Sequence, residues 1–292
     1  VQMVLQDTDS TLGGAGRTPY GDAVMRGLAE LLPSDGDAVV SPNELAQWLP
    51  HVEAAARMLS GGVGTSAIVS SAVAASAGVA VVLCGVYGHL GVGNWRGAET
   101  LLRRASPVMQ DLDAGAAAGV LHAEGQVLDD QARHGEALSK FEEALGMRRE
   151  CLPSVHPSIA GTLHEIGTVL NGMGRHEEAL SKYEEALGMK RECLPSVHPS
   201  IASSLHCIGN VLKAMGRLLE ANVCATAAVA IGRQSLPEQH PHYRAYLIQA
   251  VGLWRLVSVL RHVFGTMPAD ADVDRLMVLV RDVSAVATSH TA

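Results

Sequence analysis

Two consecutive stretches of the chain are near copies of each other. Residues 134–175 and 176–217 align without a gap, with a period of 42 (176 − 134), and they differ at only nine positions. A fixed period of this size indicates a repeat architecture, in which each unit buries its apolar face against its neighbours. The duplication therefore constrains every other prediction made from the chain.

Each copy contains two segments with the apolar spacing of an α-helix. In the first copy, Phe141 and Leu145 recur at helical intervals, and later Leu163, Ile166 and Leu170 do the same. The pattern predicts two helices per copy. One such pair cannot bury its apolar face alone, so we expect the pairs to stack.

Two different connections separate these helices. Met-Gly-Arg at 173–175 predicts a tight turn, whereas the stretch 152–157 predicts a longer loop that ends in Pro157, a residue suited to the first turn of a helix. Gly167 and Ala179 are small, so we expect the two helices of a pair to approach closely there.

The spacing resembles that of the tetratricopeptide repeat (TPR). The matching positions are Leu163, Ile166, Gly167, Leu170, Ala179, Tyr183 and Ala186. The usual unit has about 34 residues, and the extra length here falls in the loop with His-Pro, as in the similar repeats of kinesin light chains. The resemblance implies an all-α fold, a right-handed α-solenoid of TPR hairpins, and a protein–protein interaction scaffold or adaptor.

The same pattern predicts the organisation of the chain. We expect a helical linker at residues 1–60, a TPR solenoid of about five hairpins at 61–264 with its best repeats at 119–217, and a C-terminal capping helix and tail at 265–292. The apolar residues expected on the capping helix are Val273, Leu276, Leu279, Val280 and Val283.

Both ends of the array depart from the regular pattern. Trp95 is expected to start the second helix of a hairpin near the beginning of the array. His240 lies one full period after His198, so it predicts a further first helix. That helix carries Tyr246, Leu247, Ala250, Val251 and Trp254. Its continuation to Phe264 lacks the Met-Gly-Arg turn, as expected of an atypical terminal repeat.

A second resemblance concerns residues 1–60. Val1-Gln2 and the stretch 48–51 (Trp-Leu-Pro-His) are similar, in that order, to the helical linker of NB-ARC-like, STAND-type signalling ATPases with TPR tails. The alternative function is therefore the ligand-sensing tail of a larger ATPase. No phosphate-binding loop of the Walker type occurs in this sequence, so no nucleotide function carries over.

One uncharged stretch allows two interpretations. Residues 60–94 contain no Asp, Glu, Lys or Arg, and a run of about 18 or more apolar residues raises the question of a membrane span, here at 64–90. Serines and glycines dilute the run, and Leu83, Val86 and Leu90 fall where a first helix is expected. We favour a buried hairpin, with the membrane segment as the minor alternative.

Charge and cysteine content narrow the partners and the compartment. The net charge is −8, which disfavours nucleic acid. Five cysteines are an odd number, and Cys151 and Cys193 occupy the same copied position, so we expect free thiols in a reducing compartment, the cytoplasm. We find no secretory signal pattern in residues 1–30.

The candidate site is a line of polar residues on the first helix of each repeat. In TPR proteins this face lines the concave groove, so the resemblance implies that it binds a protein or peptide partner. The nine predicted groove residues are His122, Gln126, Asp129, His164, Thr168, Asn171, His206, Asn210 and Lys213. Alternatively, they are merely solvated residues of a copied sequence. Side-chain amides and imidazoles bond peptide backbone well, and imidazoles titrate near pH 6.5.

We find no signature of catalysis, cofactor or metal. The recurring His156, His198 and His240 would lie about 10 Å apart in stacked units, too far for one metal, so we expect them in loops or at helix starts. Glu142 and its neighbours are expected on the solvated face, where Glu136 and Lys140 are spaced for an i,i+4 pair.

Overall fold

The computed structural model of the protein describes residues 72–105 and 112–264, together with Val52. The chain divides into two compact units that meet in sequence between Cys151 and Leu152. Apart from Val52, the linker predicted at residues 1–60 and the capping helix predicted at 265–292 lie outside the described residues, and the domain boundaries stay a prediction.

Within the described residues, the chain forms helices and turns, and the all-α fold class is confirmed. The helices are α1 (Ala72–Gly91), α2 (Trp95–Ala105), α3 (Ala114–Asp130), α4 (His134–Cys151), α5 (Pro157–Gly172), α6 (His176–Cys193), α7 (Pro199–Ala214), α8 (Leu218–Ser235) and α9 (Pro241–Phe264). The first four belong to unit 1 and the other five to unit 2.

The described part of unit 1 forms two helical hairpins. Helix α1 pairs with α2, α3 pairs with α4, and α3 also packs against both helices of the first hairpin. Val82, Val86 and Leu101 are buried in the shared core with Val52 and Val120. The buried-hairpin interpretation of the uncharged stretch thus holds for α1, and among the described helices none is long and apolar enough to cross a membrane.

Unit 2 continues the same arrangement. Helix α5 pairs with α6, α7 pairs with α8, α7 packs on α6, and α9 packs on α8. The copied residues Leu163 and Leu205 are 0% and 2% exposed, and Tyr183 and Tyr246 are the largest of the fully buried side chains. The predicted hairpin repeat is therefore confirmed in these residues.

The predicted tight turn at 173–175 is also confirmed. Gly174 has a φ of +75°, and its N–H donates to the Asn171 carbonyl (3.0 Å) while the Arg175 N–H donates to the Leu170 carbonyl (2.9 Å). This pair of bonds is the Schellman motif, which satisfies the last carbonyls of a helix and favours glycine. Gly216 repeats the geometry with a φ of +79°.

An Arg–Glu ion pair then starts the second helix of several hairpins. Arg175 Nε donates to Glu178 Oε1 at 2.7 Å and its Nη2 to Oε2 at 2.6 Å. The same bidentate pair recurs at the equivalent positions of the turns before and after, between Arg133 and Glu136 and between Arg217 and Glu220. The ion pair stabilises the first turn of the helix, because its two parallel hydrogen bonds fix the arginine and glutamate side chains there.

The loop histidines start helices, as expected. His156 is the N-cap of α5, and its Nδ1 accepts from the Ser158 N–H at 3.1 Å. His198 caps α7 in the same way through Ser200, also at 3.1 Å. The ring nitrogen takes the place of the usual Ser, Asn or Asp oxygen.

One predicted ion pair is wrong. Glu136 bonds to Arg133 at the helix start, and Lys140 reaches across the hairpin to Glu124 at 2.9 Å. Glu124 occupies the position of the apolar Ile166 in the next copy. The cross-helix partner explains how an acidic side chain is tolerated at a half-buried site.

Ala132 provides a test of the turn geometry. It occupies the position of Gly174 with a φ of +58°, which costs a residue with a Cβ about 1 kcal/mol. We expect Ala132→Gly to raise the free energy of unfolding by about 1 kcal/mol in urea titrations. The matched control is Ala80→Gly on an exposed face of α1, which should lower it by about 1 kcal/mol. A loss of stability in both variants would contradict the turn assignment.

Candidate functional site

Each histidine of the predicted polar line lies against an aromatic ring. The ring centroids are 5.2 Å apart for His122 and Phe141, 5.0 Å for His164 and Tyr183, and 5.1 Å for His206 and Tyr246. Such edge and tilted contacts are favourable between aromatic rings. The histidines are therefore part of the packing between helices rather than free side chains on a solvated surface.

A glycine three positions further along makes room for the ring. A Cβ at Gly125 would lie 2.8 Å from the Phe141 ring, and one at Gly167 would lie 2.9 Å from the Tyr183 ring. Any larger residue would push the two helices of the hairpin apart. The predicted close approach at Gly167 is thus confirmed, although its partner is the ring of Tyr183.

A buried chain of polar groups surrounds His164. Lys190 Nζ donates to Ser204 Oγ at 3.1 Å, and Ser204 Oγ lies 3.3 Å from His164 Nδ1. On the other side of the ring, His164 Nε2 is 3.9 Å from Cys207 Sγ. Helices α5, α6 and α7 are therefore joined by side-chain contacts from two successive copies.

The same groups do not form a nucleophilic centre. Ser204 is 0% exposed, so no substrate reaches its hydroxyl. Burial raises the pKa of the Cys207 thiol to about 11, which keeps it protonated at neutral pH, and the thiolate is the reactive form of cysteine. The network is a packing feature that gives hydrogen-bond partners to the buried Lys190 and the half-buried His164.

Burial keeps two of the histidines neutral. It lowers the pKa of His122 to about 3, with a further contribution from Arg148, and it lowers the pKa of His164 to about 3, with a further contribution from Lys190. Burial also lowers the pKa of His206. The sequence raised the possibility that these imidazoles become charged near pH 6.5. Their surroundings in the structure oppose that protonation.

Several other predicted residues bond within their own hairpin. Thr168 Oγ1 lies 2.9 Å from the Tyr183 hydroxyl. His176 Nδ1 donates to Asn171 Oδ1 at 3.0 Å across the turn. In unit 1, His134 contacts Asp129 in the same way at 2.8 Å. The polar atoms of Thr168, Asn171 and Asp129 thus bond to the second helix of their own hairpin.

Of the three predicted polar lines, the one on α7 is the most exposed to solvent. On α7, Asn210 and Lys213 are exposed, and Asn210 Nδ2 donates to His206 Nε2 at 3.2 Å. Gln249 of α9 joins them, since its Nε2 donates to Asn210 Oδ1 at 2.8 Å and to the His206 carbonyl at 3.0 Å. Among the nine predicted residues, His206 and Asn210 are thus bonded directly to each other.

Sequence reasoning missed three participants. Lys190 belongs to a charged stretch at the end of α6 and gives no sign of being buried, although it is only 5% exposed. Ser204 replaces Thr162 of the first copy, a conservative difference that indicates nothing by itself. Gln249 lies outside the duplicated region. The one available signal is an aromatic residue at the same distance after two of the three histidines, at 122/141 and 164/183.

Two cavities among the described residues lie elsewhere. One of about 400 Å³ in unit 2 is lined by the turn residues Gly174 and Arg175 together with Met215. Another of about 280 Å³ in unit 1 is bordered by Glu124 and Arg133. Neither includes any of the nine predicted residues, and Glu124, Arg133 and Arg175 in their walls are already ion-paired.

Comparison with known proteins decides the family of the repeats. Residues 158–234 match the model of a tetratricopeptide repeat family.

Residues 158–234 are therefore identified as tetratricopeptide repeats.

Solved structures share its fold. The crystal structure of BtubC (BKLC) from P. vanneervenii is 19% identical, covers 84% of this chain and 91% of its own, and superposes with a TM-score of 0.60. A Podosopora anserina protein described as a putative kinesin light chain with nearly identical TPR-like repeats is 20% identical over 70% of this chain and 94% of its own, with a TM-score of 0.51. No curated protein matches the chain.

The imidazoles of His122 and His164 make the stability of the protein sensitive to acid. Their folded pKa of about 3 lies below the ordinary 6.5, so the unfolded chain takes up protons first as pH falls. The stabilisation is complete above pH 6.5 and is lost on acidification. Between about pH 7 and about pH 5.5, we expect each of His122 and His164 to reduce the free energy of unfolding by about 1 kcal/mol.

Urea titrations at the two pH values measure this loss. His164→Gln keeps a polar side chain that does not titrate, so its pH dependence should be smaller by about 1 kcal/mol. His156→Gln at a helix start serves as the control substitution. An unchanged pH dependence in His164→Gln would contradict the assignment.

Proposed function

We propose that this TPR protein is an adaptor that binds an extended segment of a partner protein along the polar faces of α5 and α7. Its tetratricopeptide repeats support a protein-interaction scaffold role. The specific proposal concerns where in unit 2 the partner lies and which side chains hold it.

The exposed Asn210 and Lys213 of α7 are the observation that carries the proposal. His206, Asn210 and Lys213 are spaced i, i+4 and i+7 and lie along one helix face. Asn210 and Lys213 are exposed, and Gln249 holds the Asn210 amide in place at 2.8 Å. With Nδ2 donating one hydrogen to His206 and Oδ1 accepting one from Gln249, the amide keeps one N–H and one oxygen lone pair, the combination that bonds peptide backbone.

Helix α5 extends the same surface by one repeat. His164, Thr168 and Asn171 have the same spacing as the α7 residues, and the contact between His164 and Ser204 brings the two helices together. Because these side chains are half-buried and already bonded, we assign them a supporting part in shape and orientation. The main contacts fall to the exposed α7 residues.

The equivalent residues of unit 1 belong to the same proposal. His122 is buried, whereas Gln126 and Asp129 are half-buried on α3. Their position on the first helix is one period before that of the α5 residues. Whether they contact the partner stays a prediction.

The chemistry of the line favours a polar, uncharged segment. Amide, hydroxyl and neutral imidazole groups outnumber the single cation, Lys213, so the binding depends on hydrogen bonds to backbone and polar side chains. A cargo-adaptor role like that of kinesin light chains, in the cytoplasm and without a cofactor, is part of the proposal. Its support is the fold likeness and the extra loop length of the repeat.

Catalysis is not part of the proposed function. The tetratricopeptide-repeat fold is typically a non-catalytic scaffold, and the groups around His164 are closed to substrate. The alternative of a sensor tail for a signalling ATPase rests on residues 1–60. Apart from Val52, these lie outside the described residues, so it stays a prediction.

A displayed random-peptide library selected against the whole chain tests the proposal. We expect enrichment of peptides whose binding is lost, at least about tenfold, in Asn210→Ala/Lys213→Glu, since this removes two or more hydrogen bonds worth about 1 kcal/mol each. Binding is measured by titration of labelled peptides.

A matched variant separates this site from general surface effects. Ser181→Ala/Lys182→Glu makes the same kind of charge change on α6, outside the proposed line. Both variants should melt within a few degrees of the parent, since surface substitutions rarely exceed about 0.5 kcal/mol. Equal binding to the parent and the α7 variant would overturn the proposal.

A further inference from the structure

A chain of directed hydrogen bonds connects α9 to the polar line of α7, which consists of His206, Asn210 and Lys213. Gln249 Nε2 donates to the main-chain carbonyl of His206 at 3.0 Å and to Asn210 Oδ1 at 2.8 Å. Asn210 Nδ2 in turn lies 3.2 Å from His206 Nε2. The chain of bonds therefore begins and ends on His206, once at its backbone and once at its ring.

The backbone carbonyl fixes the direction of every bond in this chain. A carbonyl oxygen only accepts hydrogen bonds, so Gln249 must present its NH₂ group to it. The same NH₂ group reaches Asn210, which must therefore present Oδ1 to Gln249 and Nδ2 to the ring. Since Nδ2 only donates, His206 Nε2 must accept, and the proton of the neutral ring must lie on Nδ1.

Packing keeps the anchoring amide in place. Gln249 lies over Gly209, where a Cβ would approach its Nε2 to 2.9 Å. The His206 ring lies against Tyr246, one turn earlier on α9, with 5.1 Å between the ring centroids. Turning over the amide of Gln249 or of Asn210 would place two donors or two acceptors face to face.

On the basis of the function proposed above, we propose that His206 is the positioning residue of the α7 line. Its neutral ring holds the Asn210 amide in the orientation that binds the partner, and a second proton on the ring releases that amide and weakens binding. A proton on Nε2 would face Asn210 Nδ2, so two donors would oppose each other across 3.2 Å. The amide cannot turn over in response, because Gln249 is held by the carbonyl. The bond to the ring is therefore lost, and the Asn210 side chain regains its rotational freedom.

The surroundings of the ring decide the pH at which this happens. Burial lowers the pKa of His206, Gln249 partly offsets that effect, and His242 of α9 adds to it. The pKa in the folded chain is therefore below the ordinary value of about 6.5. The ring is neutral and the amide is held at neutral pH, and the amide is released as the pH falls below about 6.5.

His242 is the neighbouring group whose charge acts on the ring. Burial and the adjacent His240 lower the pKa of His242 as well, so it is neutral while the amide is held. Other titratable groups on the helices around α7 have partners of their own or face solvent. These include His164 of α5 and Lys190 of α6, which both contact Ser204, Glu220 of α8, which pairs with Arg217, and the exposed Lys213 of α7.

The copied line on α5 lacks this arrangement. Thr168 occupies the position of Asn210, and its Oγ1 lies 2.9 Å from the Tyr183 hydroxyl. His164 Nδ1 contacts the Ser204 hydroxyl, a group that can either donate or accept. The proton-dependent release of an amide is therefore specific to α7.

Nitrogen-15 NMR of the imidazole in the full chain tests the direction of the bonds without any partner. At about pH 7.5 we expect the His206 ring to carry its proton on Nδ1 and none on Nε2. On acidification, the side-chain amide signals of Asn210 should shift together with protonation of Nε2. A neutral ring with its proton on Nε2, or amide signals that ignore the protonation, would overturn the proposal.

Two substitutions at His206 separate positioning from packing. His206→Gln keeps an acceptor that does not titrate but loses the ring, whereas His206→Phe keeps a ring against Tyr246 and loses the acceptor. Peptides selected on the parent at about pH 7.5 are titrated against both variants. We expect the parent to bind about fivefold more weakly at about pH 5, the loss of about one hydrogen bond. His206→Gln should bind equally at the two pH values, and His206→Phe should bind weakly at both.

His242→Gln provides a matched variant on α9. Removal of the His242 charge raises the pKa of His206, so the loss of peptide binding should begin at a higher pH than in the parent. Circular dichroism at both pH values shows whether each variant is folded. If His206→Phe does not fold, Gln249→Met removes the anchoring donors instead and should bind weakly at both pH values.

Two binding results would overturn the positioning role. One is the same pH dependence in the parent and in His206→Gln. The other is binding as tight as the parent's in His206→Phe or Gln249→Met. A library that yields no peptide would instead count against the proposed function, and the NMR experiment would still decide the ring tautomer and its response to pH.

Discussion

The close packing of a first-helix glycine beneath an aromatic ring of the second helix sets the geometry of the hairpins. Gly125 lies beneath Phe141, and Gly167 lies beneath Tyr183, with space for no Cβ. The same ring also contacts the histidine three positions earlier. One contact therefore determines the separation of the helices and the burial of the imidazole, and the rest of the hairpin follows.

This arrangement explains why several polar side chains lie between the helices of the repeats. Once the imidazole of His164 is buried, its two nitrogens need partners, and these come from Ser204 and Cys207 of the next copy. Lys190 in turn requires the Ser204 hydroxyl. A chain of satisfied polar groups specifies how consecutive repeats fit together, whereas apolar contacts alone would allow sliding.

Much of the fold could be predicted from the sequence because the information is local and duplicated. The turn at Gly174, the helix start at Pro157 and the apolar spacing around Leu163 each depend on residues near one another in the chain. The burial of His164 could not be predicted in this way, since it depends on the ring of Tyr183 in the following helix and on Ser204 of the next repeat. A polar residue on a helix looks solvated until its tertiary partners are known.

The last regular repeat of unit 2 is not self-sufficient. The position one period after Tyr183 is Ala225, a small buried side chain that offers no ring to His206. Tyr246 of α9 supplies that ring instead, and Gln249 occupies the space above Gly209. The minimal autonomous fragment of this array therefore extends through α9, and a boundary drawn where the sequence copies end would separate the repeat from an aromatic residue that completes its interior.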